Sequence, residues 1–331
     1  TLNHSAADQL FLMGHDRDSF NRWEAGQTRG RELILASMGG VVPVKEAKAY
    51  ASVLGQLLAD PSIDNAFKAL MLGLPPEADI AAAIGKDVDT DAVLAARDGA
   101  RAALGAHLDA VLTEVWDATA ETGPYMPDPA GTARRALRYA ALQMMLLGNR
   151  DRGVALALQE LANPHSMTAE IGALGGLVQV EAPERETALQ TFFTRHAADH
   201  LLVDKWFMLQ AQAKDPRAAA RVERLLHHPA FTYGTPNRVY ALIGGFTSGN
   251  VAGFNAADGE GYRVVADAVI KLDSSNPQVA ARMATGFRSC QMLDAPRRAA
   301  AHSQLQRILG APKLSRDCFE IISRIANGLT A

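Results

Sequence analysis

Apolar residues recur at helical spacing along almost the whole chain, and no stretch alternates with the two-residue period of a half-buried strand. Tyr50, Val53, Leu54 and Leu57 share one face of a helix, as do Leu189, Phe192 and Phe193, and again Cys318, Ile321, Ile322, Ile325 and Leu329. Aromatic residues make up only 6% of the chain, so the side chains that favour strands are scarce. An α/β sheet is hard to build from this material.

Proline and glycine break the helical pattern at Gly39-Gly40 and Pro43, Pro75-Pro76, Gly123-Pro124, Asn163-Pro164, Ala182-Pro183 and Asp215-Pro216. The spacing predicts about sixteen helices, most of them roughly 12 to 20 residues long. At 331 residues the chain exceeds the size at which one compact core stops growing, so it forms either two globular bodies or an elongated repeat. Short helices joined by short breaks predict an all-α fold, a superhelical α-solenoid of antiparallel helix pairs spanning residues 1–331. No tetratricopeptide or ankyrin signature is legible, which leaves irregular armadillo- or HEAT-like pairing. Asp91 to Glu121 reads as one long helix, and Gly123-Pro124-Tyr125-Met126-Pro127 after it as a seam between two halves.

A net charge of -3 gives no broad field to draw in nucleic acid or an anionic membrane surface. Neither partner is expected. The longest apolar run, Leu33 to Val44, is interrupted by Ser37, two glycines and Pro43, and falls short of the roughly 18 residues of a spanning helix. Two cysteines, Cys290 and Cys318, make no disulfide framework and read as buried thiols of a reducing compartment, which predicts a cytoplasmic protein. A chain that opens on Thr1 reads as a piece of something longer.

Catalytic patterns are missing. A zinc peptidase centre needs two histidines one helical turn apart with a glutamate to activate the bound water, and His-Glu-x-x-His does not occur. The one adjacent pair, His227-His228, points to different sides of a helix just before Pro229 and reads as a helix end. There is no Gly-x-Ser-x-Gly elbow. Gly244-Gly245 and Gly259-Glu260-Gly261 read as turns, and Arg134-Arg135 and Arg297-Arg298 as solvated helix faces. No catalytic or metal-binding residue is assigned.

Two helix starts are more informative, because each pairs a capping residue with proline and sets polar side chains in the first turns. They are Thr235-Pro236-Asn237-Arg238-Val239 and Asn276-Pro277-Gln278-Val279-Ala280-Ala281-Arg282. Thr235 and Asn276 suit N-caps, and Pro236 and Pro277 suit the first helical position. Gln278 and Arg282 are four apart and share a face, from which both can reach one ligand.

Four strings in this chain resemble landmarks of bacterial aminopeptidase N, a branch of the M1 zinc metallopeptidase family. They are Asp18-Ser19-Phe20-Asn21-Arg22-Trp23-Glu24-Ala25-Gly26-Gln27; Leu202-Val203-Asp204-Lys205-Trp206-Phe207; His228-Pro229-Ala230-Phe231 with Pro236-Asn237-Arg238-Val239; and Asn250 to Tyr262 with Asn276-Pro277-Gln278-Val279-Ala280. They occur in family order, while residues 60–180 match more loosely. The resemblance implies the non-catalytic C-terminal helical domain of a zinc aminopeptidase that removes N-terminal residues from peptides, with the zinc helix and the Gly-x-Met-Glu-Asn strand lying before it. It implies no cofactor in this chain and zinc in the parent enzyme. The implied partners are the catalytic domain of the same polypeptide and a peptide substrate in an access channel that this domain forms. The family's channel glutamine and arginine carry over to Gln278 and Arg282. A second family arginine falls where this chain has Tyr240, with Asn237 and Arg238 beside it. The alternative expectation is a free-standing helical scaffold that binds a protein or peptide on its concave face.

Overall fold

The computed structural model describes residues 4–330, so the Thr1 start and the last residue lie outside it. Among the described residues the secondary structure is helical, apart from one isolated bridge between Val88 and Leu293. The chain divides into two compact units, Thr1–Ile80 with Ala92–Ala182, and Ala81–Asp91 with Pro183–Ala331. The Gly123–Pro127 segment lies within the first unit, and the division falls at the Ala182-Pro183 break instead. Helix follows helix with close packing between neighbours in sequence.

In the first unit, the stretch expected to be one long helix is two, Thr90–His107 and Asp109–Ala118, divided at Leu108. Leu104, Leu108 and Leu112 are all buried on one face across the division, and the Leu108 and Leu112 N–H groups still donate to the carbonyls of Leu104 and Leu108. Glycines allow the tightest approach. A Cβ on Gly105 would lie 2.6 Å from the Met144 carbonyl oxygen, and one on Gly148 would collide with the Gly105 backbone. The helices Thr90–His107 and Pro129–Gly148 therefore meet backbone to backbone.

The loop between Asp109–Ala118 and Pro129–Gly148 is clamped rather than loose. Arg135, buried, pairs with Glu121 at 2.8 Å, donates to the Met126 carbonyl at 2.9 Å and stacks on Tyr125. One turn along, Arg138 lies over the Trp116 ring, donates to the Trp116 carbonyl and pairs with Glu160 at 2.9 Å. The Arg134-Arg135 pair is thus no solvated face, because the second arginine is an internal tie.

The second unit has an aromatic core of Phe246, Phe254, Tyr262 and Phe287, all fully buried and packed mainly edge to face. Asn255, also fully buried, accepts from the Tyr262 hydroxyl at 3.0 Å, and its carbonyl accepts from Arg297 at 2.8 Å. Arg297 is likewise buried, not a solvated residue. It pairs with Asp294, with Asp91 at 2.5 Å and with Asp89 at 3.2 Å. Residues 81–91 belong to this unit as a strap: the Val88 N–H donates to the Met292 carbonyl, and the Asp294 N–H donates to the Val88 carbonyl. Burial pushes the thiols of Cys290 and Cys318 up to about 12, so both stay protonated and inert at neutral pH.

The glycine contact in the first unit sets a stability test. Gly148→Ala is expected to lower unfolding stability by about 3 kcal/mol, at the upper end of ordinary overpacking, because the obstruction is backbone. Gly39→Ala, where nothing lies within 4 Å, should change it little. Thermal melts followed by circular dichroism compare the two.

Candidate functional site

The two helix starts singled out by the sequence both lie in the second unit. Asn276 caps its helix as expected, its side chain accepting from the Val279 N–H at 3.2 Å, with Pro277 in the first turn. Thr235 does not cap: it precedes Pro236–Val239 with no side-chain hydrogen bond. Beyond Val239 the helix continues as a π turn, Tyr240–Gly244, and then as Gly245–Gly249. Gly244-Gly245 is therefore helix interior rather than a turn. The Gly245 N–H donates to the Tyr240 carbonyl, the five-residue step that widens the helix there.

The structure brings the two starts together through Tyr240 and Arg282, whose guanidinium carbon lies 4.7 Å from the ring centroid. Gln278 and Arg282 are both exposed, Asn237 is exposed and Tyr240 is half-buried. Among the described residues the side chains of Gln278, Asn237 and Arg282 make no hydrogen bond or ion pair. Small contacts keep the helices close: Gly286 lies against Thr247, and the Met283 methyl lies 3.9 Å from where a Cβ on Gly244 would be.

Arg238 belongs elsewhere. It is buried, pairs with Asp204, donates to the carbonyls of Ala230 and His200, and lies 5.1 Å from the centre of the Phe207 ring. Two sequence landmarks, one around Asp204 and one spanning Ala230 and Arg238, thus converge on a single guanidinium. Phe193, Trp206 and Phe207 pack around His228, and Phe231 packs on Phe207. His227 ends its helix as expected, and His228 accepts from the Ala230 N–H at 3.1 Å. Burial first, and then the charge of Arg238, hold the His228 imidazole below its ordinary value of 6.5.

The two helix starts are expected near each other from the sequence, but the Arg282–Tyr240 contact itself has no local signal, because 42 residues separate the partners. A cleft of about 330 Å³ in the first unit, lined by Trp116, Glu121, Arg138, Gln159, Glu160 and His165, was also not foreseen. Its carboxylates are already paired with Arg135 and Arg138. Among the described residues no three of His, Cys, Asp or Glu gather where they fit a metal ion. No chemical step is assigned to this chain.

A family model described as a domain of unknown function with ARM repeats, DUF3458_C, matches residues 6–327. Aminopeptidase N of Caulobacter vibrioides is 35% identical over 318 residues, covering 96% of this chain and 37% of that protein. Aminopeptidase N of Escherichia coli is 30% identical over 332 residues, covering 98% and 38%. Among solved structures, Legionella pneumophila aminopeptidase A in complex with aspartic acid superposes with a TM-score of 0.88 at 25% identity, over 99% of this chain and 39% of that one. The chain spans less than two fifths of each of these relatives.

The His228 environment has a pH consequence. A base held below its ordinary value takes up its proton at a lower pH in the folded state than in the unfolded chain, which binds it first. Its contribution is therefore complete above 6.5 and is lost as pH falls below that value. Denaturant titrations at a series of pH values should show a weaker decline below 6.5 for His228→Gln than for the unaltered chain.

Proposed function

The chain belongs to the DUF3458_C family of ARM-repeat domains, which forms the C-terminal domain of aminopeptidase N, and we propose that it borders the route by which peptides reach the catalytic centre of a parent zinc aminopeptidase. In that reading the zinc and its ligands lie in the rest of the parent, where the metal activates water for hydrolysis of the N-terminal peptide bond. This domain contributes binding, and its reach decides which substrates feel it.

The observation that carries the proposal is a pair of exposed side chains, Gln278 and Arg282, that make no hydrogen bond or ion pair among the described residues and lie on one face of a capped helix start, with Arg282 against Tyr240. A peptide presents backbone carbonyls and a terminal carboxylate, all acceptors. An amide and a guanidinium with free N–H groups are the matching donors. Asn237 adds a second exposed amide, whereas Arg238 is assigned to holding the Pro236–Val239 helix on Asp204. The catalytic domain of the same polypeptide is the proposed partner, and exposed Phe11 and Phe20 of the first unit are proposed to contact it. A cytoplasmic location is proposed on the two buried free thiols. Among the described residues no helix is long and apolar enough to cross a membrane.

Two measurements follow. In the full-length enzyme, Arg282→Ala is expected to raise KM for a peptide of several residues about tenfold more than for a single-residue arylamide, which corresponds to roughly 1.5 kcal/mol for one charge-assisted hydrogen bond in a wet site. Equal effects on both substrates would remove the site from the peptide's path. The second concerns the apolar residues: this chain on its own should self-associate in light scattering, and Phe11→Ser with Phe20→Ser should reduce that association.

A further inference from the structure

We infer that Tyr240 is a positioning residue of this site, an aromatic platform that holds the Arg282 guanidinium in place while leaving its donors free for one acceptor group of the peptide. This rests on the reading that Gln278 and Arg282 meet the substrate. The guanidinium carbon is 4.7 Å from the ring centroid, inside the roughly 6 Å range over which a ring face attracts a cation.

The choice of partner matters chemically. Other arginines of this unit are held by carboxylates: Arg238 by Asp204, Arg263 by Glu223 and Arg297 by Asp294. A carboxylate neutralises the guanidinium and uses up its N–H edge. A ring does neither, because it meets the flat face and leaves the N–H groups in the plane pointing outward. Arg282 has no hydrogen bond or ion pair of its side chain among the described residues, so its charge and its donors are both available.

Tyr240 is itself fixed. It opens the π turn Tyr240–Gly244, its carbonyl is taken by the Gly245 N–H, and it is half-buried. A widened turn of this kind at the residue facing the site is where local helix geometry departs from the regular spiral to re-aim one side chain. The small contacts of Gly286 with Thr247 keep the two helices within stacking distance. The result is a site with one available cation beside an aromatic face, suited to a single carboxylate or carbonyl of a peptide.

The test uses the full-length enzyme and reads the ratio of KM for an alanine-initiated peptide of about six residues to KM for alanine arylamide. Tyr240→Leu, and Tyr240→Gln as a second variant without a ring, should raise that ratio about two- to fivefold at low salt, the range expected for a partly exposed cation–ring contact. Tyr240→Phe should restore the original ratio, and Tyr240→Leu combined with Arg282→Ala should match Arg282→Ala alone. Circular dichroism checks that each variant folds. If Arg282→Ala raises the ratio but neither ring-less variant does, the platform role is overturned and the peptide route stands. If Tyr240→Phe behaves like Tyr240→Leu, the ring face is not the active feature and the inference is also overturned. If Arg282→Ala leaves the ratio unchanged, the inference and the reading beneath it fall together.

Discussion

Short helices leave carbonyl groups without partners at their ends and in the loops between them, and in this chain buried arginines take many of these up. Arg138 donates to the carbonyl of Trp116, Arg135 to that of Met126, Arg185 to that of Lys214, Arg238 to those of His200 and Ala230, and Arg297 to that of Asn255. Each also pairs with a carboxylate: Glu160, Glu121, Glu186, Asp204 and Asp294 in the same order. A guanidinium has five donors in a planar fork, so one end can satisfy a backbone oxygen while the other meets an anion, which an ammonium on a flexible stem does less well. Where both partners are buried, as in Arg135–Glu121 and Arg138–Glu160, loss of one costs on the order of 3–5 kcal/mol. The stack depends on these ties because its helices are too short to stand alone.

This explains which parts of the fold were legible in the sequence. Helical periodicity is a local property, so the all-α class and the proline-marked breaks, Ala182-Pro183 among them, are readable from the residues. Caps are local too, and Asn276 acts as expected. Thr235 does not, because its helix is held instead by Arg238 against Asp204, a partner 34 residues earlier. The arginine pairs were misjudged for a related reason. Adjacent charges look like a solvated face until the fold supplies Glu121, or Asp89 and Asp91, from far along the chain. The division at Leu108 falls where the sequence has neither proline nor glycine at that position to mark it.

At the candidate site the residues themselves were legible and their arrangement was not. Gln278 and Arg282 follow from spacing within one helix. Arg282 meets Tyr240 at the start of a π turn, and no pattern of apolar residues distinguishes a π turn from an ordinary one: Val239, Leu242, Ile243 and Phe246 are buried with regular helical spacing through it. Arg238 and Tyr240, two residues apart, consequently have opposite fates, one interior and neutralised, the other half-exposed beneath an unpaired cation.

The strap at residues 81–91 bears on how the polypeptide is made. It is synthesised well ahead of its partners, which lie around Met292, Asp294 and Arg297, and Arg297 reaches Asp91 across 206 residues of chain. During vectorial synthesis the strap emerges long before the helices that hold it, so the second unit reaches its final form only once its last third has left the ribosome. Local helix pairs assemble quickly, whereas this closure carries a long loop and is correspondingly slow. Cutting the gene at the Ala182-Pro183 boundary would therefore separate the second unit from a segment of its own structure, and the apparent border between the units is not a place where the protein divides.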